Sequence, residues 1–381
     1  MTAGPPPLGV YVHWPYCARI CPYCDFNVVR DRGRTEQKAA LTAAILADLE
    51  AHAALTGRRT LMSVFFGGGT PSLMDPADVA RVIASARALW TPAADLEVSL
   101  EANPTDAEAA RFAALAAAGV NRLSLGVQSL DDAALRFLGR NHDAAAARRA
   151  IAVAGAVFPR LSVDLIYALP DQGLDAWSGE LAAVAALGVE HISPYQLTIE
   201  PGVAFHRRVL RGTLRPVGPD LAADFYETTQ SVLGAAGFEA YEVSNHARGL
   251  AARSRHNLIY WRGEDYVGAG PGAHGRLTLD GARFATVAPD AIGDYIGQVA
   301  RAGTGSPREA LALREVALER LLMGLRTAEG VALADLTALE IPAARLTDLG
   351  DLVAVSGGRL RATPAGRPVL DRIIAELADG V

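Results

Sequence analysis

Apolar runs separated by alanine-rich amphipathic stretches recur from Val10 to about Thr198. The strand-like runs are Val10–Trp14, Leu61–Phe66, Leu96–Glu101, Arg122–Val127, Leu161–Ala168 and His191–Thr198. Between them, Glu36–Leu55, Pro76–Leu89, Asp106–Ala118, Ala144–Ala156 and Leu174–Leu187 carry helical periodicity. Strands and helices alternating at this spacing predict right-handed βαβ units and a parallel sheet, hence an α/β fold. Six units are too few to close an eight-stranded barrel, so an open (β/α)6 partial barrel is expected. Polar residues gather just after the strands, at the edge where parallel barrels build their sites.

From Pro219 the pattern changes. Leu221–Ala236 reads as a helix and Phe238–Val243 as a strand, followed by a loop-rich stretch through Gly275. Pro307–Leu325 reads as a long amphipathic helix, Leu352–Val355 and Leu360–Thr363 as a hairpin, and Pro368–Leu377 as a closing helix. Helices followed by a hairpin suggest a winged-helix-like module. The expected organisation is a disordered tail over 1–8, a core and its extension over 9–290, and a C-terminal module over 300–381. From Arg301 onward ten arginines face eleven acidic residues, a balance that lacks the basic footprint of DNA binding.

Net charge changes the picture little: at −6 it also argues against a nucleic-acid partner. No stretch of about 18 residues is free of charge or punctuation, so no transmembrane helix is expected. The N-terminus lacks the basic start and apolar run of a signal peptide, which points to the cytoplasm.

Candidate chemistry changes the picture most. All three cysteines fall in one window, Cys17-Ala-Arg-Ile-Cys21-Pro-Tyr-Cys24. Three thiolates can ligate three irons of a [4Fe–4S] cube and leave the fourth open, whereas an ordinary electron-transfer cluster uses four. A zinc site completed by His13 is an alternative, as are packing or redox thiols. Gly67-Gly68-Gly69-Thr70-Pro71 follows the second strand; such a run reads as a plain turn or as a backbone surface for a ligand. Glu101 and Gln128 end the third and fourth strands, Arg140 follows, and Asp164 stands inside an apolar strand where it needs a partner.

The stretch Val10-Tyr-Val-His-Trp-Pro-Tyr-Cys17 through Cys24-Asp-Phe26 resembles the cluster loop of the radical S-adenosylmethionine (SAM) superfamily, with Tyr23 as the aromatic before the third cysteine. The resemblance implies a [4Fe–4S] cluster on Cys17, Cys21 and Cys24, SAM chelated at the open iron, and reductive cleavage of SAM to a 5′-deoxyadenosyl radical. It implies SAM contacts from Tyr11, Tyr23, Gly68, Gly69, Thr70, Glu101, Gln128, Arg140 and Asp164. Gly-Gly-Gly-Thr-Pro is the form found in the oxygen-independent coproporphyrinogen oxidase group.

Within that group, His191-Ile-Ser-Pro-Tyr-Gln, Tyr241-Glu-Val-Ser-Asn245 and Arg255-His-Asn-Leu-Ile-Tyr-Trp261 resemble the HemW haem chaperones over about Val10 to Gly275. The true coproporphyrinogen dehydrogenases carry a further cysteine where Phe26 stands, have a longer region ahead of the loop, and lack His-Asn-x-x-Tyr-Trp. The resemblance therefore implies a protein that binds haem and delivers it to acceptor haemoproteins, respiratory and membrane-associated ones among them, without porphyrinogen oxidation. No residue is given a catalytic role, and the dehydrogenase reaction stands as the competing reading. Homodimerisation dependent on the cluster is a further expectation from the group. A haem carrier needs an axial ligand and an apolar wall. His256 is the first candidate ligand, His274 the second, and Tyr260 and Trp261 are candidates for the wall.

Overall fold

The computed structural model describes residues 6–106 and 109–378. The alternation seen in the sequence folds as β1 (Leu8–Trp14), α1 (Thr35–Thr56), β2 (Thr60–Gly68), α2 (Pro76–Leu89), β3 (Thr91–Ala102), α3 (Ala109–Ala117) and β4 (Arg122–Gln128). It continues as α4 (Asp132–Phe137), α5 (Ala144–Val157), β5 (Arg160–Tyr167), α6 (Leu174–Ala185) and β6 (His191–Gln196). Asp75, Asp131 and Asp143 cap α2, α4 and α5 by accepting from Ala77, Ala134 and Ala146 amides. Each such cap contributes about 1 kcal/mol. Of the expected tail, residues 1–5 lie outside the described residues, and Leu8 already belongs to β1 with no exposure. The expected helix start near Asp106 also touches undescribed residues 107–108.

The six strands pair in parallel in the order β1–β2–β3–β4–β5–β6. Their alternate residues divide sharply. Val10, Val12, Val64, Phe66, Val98, Leu100, Leu123, Leu125, Val163 and Ile192 are fully buried in one large core that includes residues of the surrounding helices. Each such side chain stabilises by roughly 1.5–3 kcal/mol. The opposite parity carries polar groups: Ser63, Glu97, Ser99, Glu101, Arg122, Ser124, Ser162, Asp164, His191 and Ser193. The barrel interior is therefore a polar layer, and the apolar core lies between strands and helices.

After β6 come α7 (Ala204–Leu210), α8 (Pro219–Ala235) and α9 (Arg255–Trp261), then β7 (Asp265–Ala269), β8 (His274–Leu279) and β9 (Ala282–Val287). The stretch expected to be loop through Gly275 thus contains a helix and sheet strands. β7 pairs in parallel with β1, adding a seventh parallel strand on the side away from β2, and β8 and β9 continue the sheet antiparallel. Glycines at the junction hid this from a propensity reading: a Cβ on Gly268 would fall 2.0 Å from the His274 carbonyl oxygen. Of the strand expected over Phe238–Val243, Glu239–Ala240 pairs within the sheet and Glu242 makes an isolated antiparallel bridge to Thr327. Asp265, buried, ties the addition to the barrel through Arg59 (2.6 Å) and β7 to β9 through Arg283 (2.7 Å).

Helix α10 (Ile292–Ala302) packs on α1, where the buried Asp48 accepts from Tyr295 Oη (2.8 Å) and the Gly305 amide (2.7 Å). By length and composition α1 could cross a membrane, contrary to the sequence expectation; here Leu41, Ile45 and Leu49 are buried in the barrel core. The sheet ends with β10 (Arg308–Ala310), so the helix expected from Pro307 starts only at α11 (Leu313–Gly324). A second hydrophobic core then gathers Leu321, Leu336, Leu360, Ile373 and Leu377 around a hairpin of Val353–Ser356 and Arg359–Ala362.

Candidate functional site

At the C-terminal edge of the parallel strands a cavity of about 330 Å³ is lined by Cys17, Cys21 and Cys24. Tyr23, Gly68, Gly69, Thr70, Glu101, Gln128, Arg140 and Asp164 line the same cavity. Residues spread over nearly 150 positions are brought together: Glu101 and Gln128 stand at strand ends, Asp164 on the inner face of β5, and Arg140 just past α4. Tyr11 does not join them. Its hydroxyl bonds His13 Nδ1 at 3.0 Å and its ring stacks on Phe65 and His256 beside a second cavity.

The cysteine loop is held from several sides. Gly69 N donates to the Trp14 carbonyl (2.8 Å), and a Cβ there would meet the Pro15 carbonyl carbon at 2.7 Å. Phe205 N, at the start of α7, donates to the Pro22 carbonyl at 2.9 Å. Thr70 Oγ1 donates to Cys17 Sγ (3.5 Å) and Arg140 to Cys21 Sγ (3.4 Å). Arg140 also donates to the Gly126 carbonyl (2.9 Å) and to Asn103, a residue the sequence reading missed. Burial pushes the Cys24 thiol up to about 11, so metal binding must expel its proton.

His13 cannot complete a zinc site as placed. Nδ1 faces Tyr11 and Nε2 bonds the Asn27 carbonyl at 2.8 Å. Among the described residues no three His, Cys, Asp or Glu side chains converge on a single ion. The other polar groups suit a cationic cofactor with donors to offer. Gln128 holds φ at 68°, and its buried Oε1 has no hydrogen-bond partner among the described residues. Such strain persists where the surrounding structure enforces it, often at ligand sites. Among the described residues Glu101 accepts only a long bond, from Gly68 N (3.3 Å); burial, reinforced by Asp164, raises its carboxyl to about 8. Asp164 is also raised by burial, against the Ser124 hydroxyl at 3.0 Å. The donor set fits a three-thiolate cluster beside a sulfonium.

The second cavity, about 710 Å³, shares Phe26, Gly68, Glu101 and Tyr195 with the first. Its walls include Tyr260, Trp261, Tyr266 and His274, with Met323 and Arg326 from the C-terminal end of α11 and just beyond it. His256 is not among them. It is 1% exposed and stacked on Phe65, with Nδ1 bonded to Ser63 (2.8 Å) and Nε2 to Tyr260 Oη (2.7 Å). Burial lowers it to about 3. Both nitrogens are engaged within the protein, so the first candidate haem ligand, His256, is placed away from the cavity with neither nitrogen directed to it. The motif divides its labour: His256 anchors α9 in the barrel, while Asn257, Tyr260 and Trp261 face the cavity. His274 is exposed at the start of β8.

Glu97, also missed, fixes α9. Its carboxylate accepts from the Arg255 and His256 amides (3.1 Å each) and from Arg160 (2.7 Å). The signal was available as the period-two alternation Leu96-Glu-Val-Ser-Leu-Glu101, which puts Glu97, Ser99 and Glu101 on one face.

A parallel barrel bearing a three-cysteine loop and this acid- and glycine-lined cavity defines a radical SAM protein, and the signature of the Radical SAM superfamily matches residues 11–178. The chain is 37% identical over 379 residues to the haem chaperone HemW of Mycobacterium tuberculosis, covering 97% of this chain and 95% of that one. It is 41% identical over 282 residues to HemW of Escherichia coli, covering 73% and 72%. Radical S-adenosyl methionine domain-containing protein 1, mitochondrial, of Bos taurus is 46% identical over 332 residues, covering 84% and 74%. The chain belongs to the HemW family. The structure of the Escherichia coli coproporphyrinogen III oxidase HemN, a radical SAM enzyme, shares the fold with a TM-score of 0.81 at 22% identity, covering 99% of this chain and 91% of that one.

Proposed function

We propose that this chain binds haem in the second cavity and passes it to acceptor haemoproteins. In this reading the first cavity holds a [4Fe–4S] cluster on Cys17, Cys21 and Cys24. SAM then lies against the Gly68–Thr70 turn, Glu101, Gln128, Arg140 and Asp164. Bound there, the two cofactors supply a one-electron source and a cleavable sulfonium. The chain's own residues seat the loop, offer carboxylates to a cation and keep the site polar but enclosed.

One observation carries the haem assignment. The HemW-type motif turns Asn257, Tyr260 and Trp261 into an aromatic-walled cavity of about 710 Å³ with His274 at its edge. That volume lies in the range of sites for sizeable small molecules. Of the two candidate ligands, only His274 is presented to the cavity. Phe26, 62% exposed, occupies the position where the dehydrogenases place a further cysteine.

Haem titration followed by absorbance tests this. Stoichiometric uptake is expected, with an altered Soret band in His274→Ala, weaker binding in Trp261→Ala, and no loss of haem ligation in His256→Gln. Conversion of coproporphyrinogen III by the reduced, reconstituted protein would replace the carrier reading with the dehydrogenase one.

A further inference from the structure

The second cavity is built by two parts of the chain, and its one strongly basic side chain comes from the C-terminal module. Tyr260, Trp261 and Tyr266 line it from α9 and β7, whereas Met323 and Arg326 come from the end of α11 and the turn after it. Among the described residues Arg326 is the only arginine or lysine in that lining. The acids in the lining are Glu101 and Glu242. Burial holds both carboxyls high, Glu101 at about 8 and Glu242 at about 7, so near neutral pH neither carries a full negative charge. The guanidinium is therefore not cancelled from inside the cavity.

Arg326 is held where it stands. Its amide donates to the Met323 carbonyl (3.2 Å), and its Nη1 reaches back to donate to the Leu322 carbonyl (2.7 Å). The next two residues are tied to the segment that follows α8. Thr327 forms the antiparallel bridge with Glu242, and the Ala328 amide donates to the Tyr241 carbonyl at 3.0 Å. Thr327 is itself buried, with Oγ1 donating to the Gly324 carbonyl (2.8 Å). Nη2 meets Asp371 at 2.7 Å, but that side chain is 89% exposed, and an ion pair so open to water contributes little. Of the five N–H donors of a guanidinium, these side-chain contacts occupy two.

We infer that Arg326 seats a carboxylate of the porphyrin, so that the C-terminal module reads the anionic edge of the cargo while the aromatic wall takes its flat apolar face. This assignment rests on the haem reading of the second cavity and adds a specificity-determining residue to it. A planar guanidinium matches a carboxylate in bidentate geometry, which an ammonium cannot do. Haem has the complementary form: an apolar disc with its propionates together on one edge. An uncharged porphyrin ester would meet the same aromatic wall and leave Arg326 with only water and Asp371.

The test compares haemin with haemin dimethyl ester, each titrated into the full-length protein in the same dilute detergent and followed by absorbance. The parent should favour haemin by about tenfold, the ordinary strength of a charge-assisted hydrogen-bonded contact. Arg326→Gln should bind haemin about tenfold more weakly and the ester as the parent does. Arg326→Lys should recover part of that loss, since it keeps the charge without the fork. Asp371→Asn removes the competing carboxylate and keeps the guanidinium, so it should bind haemin at least as tightly as the parent. Equal affinity of the parent for both ligands overturns the assignment, as does an equal loss for both in Arg326→Gln. So does a matching loss in Asp371→Asn, which would trace the effect to packing of the C-terminal module. Uptake of neither ligand by the parent sinks the haem reading itself, whereas equal uptake of both leaves that reading standing and removes Arg326 from it.

Discussion

Glu101 offers a quantitative test of the cofactor cavity. It is buried beside Asp164, and its carboxyl is raised to about 8 from an ordinary 4.5. The raised group keeps its proton in the free protein, so only about a tenth is ionised at pH 7. A bound sulfonium favours the carboxylate, and binding must then expel that proton. The sign follows: affinity for SAM rises by up to about tenfold per pH unit below 8 and levels off above it. Glu101→Gln removes the proton but keeps an oxygen able to accept from Gly68 N. SAM affinity in this variant should be lower at pH 8, with a much flatter dependence on pH. Calorimetry at pH 7 in buffers of different ionisation enthalpy counts the protons released. The α-amino group of SAM also titrates in this range, so the decisive quantity is the difference between parent and variant. That difference should approach one proton per SAM. Equal proton release by both proteins, or an equally steep pH dependence, would refute the placement of Glu101 against the cation.

Other substitutions probe the scaffold. Asp164→Asn removes the charge that reinforces the raised Glu101 carboxyl, so the midpoint of the SAM pH profile should move below 8. Gly69→Ala places a methyl 2.7 Å from the Pro15 backbone; iron and sulfide content should fall even though a melt shows a folded chain. Glu97→Ala leaves Arg160 and the α9 amides without their acceptor, costing about 3–5 kcal/mol in denaturant unfolding, while Glu97→Gln recovers part of it. Tyr260→Phe deletes the bond to His256 at about 1 kcal/mol and should leave haem uptake intact; loss of haem binding would give that hydroxyl a direct role.

Much of the barrel was legible because its signals are local. Asp75 followed by Pro76 starts α2, and apolar runs of β-branched and leucine residues mark β1 to β6, whichever neighbours they meet. The cysteine window was legible for a similar reason: a short spacing confines three thiols to one loop in any fold. Successive strands then collected Glu101, Gln128 and Asp164 around it, as a parallel barrel requires. The polar interior was written in the period-two alternation of β3 to β6, although reading those runs simply as apolar strands concealed Glu97 and the serines.

Which way the His256 motif faces was not a local matter. On a seven-residue helix, sequence spacing fixes which residues share a face but not which face meets the barrel; Glu97, Ser63 and Phe65, far away in the chain, decided that. Likewise Gly268 and Gly275 interrupt β7 and β8, and Gly263, Gly270, Gly272 and Gly281 flank these strands, so propensity does not mark β7 to β9. They become a sheet because β1 offers an unpaired edge and glycines let the backbones approach.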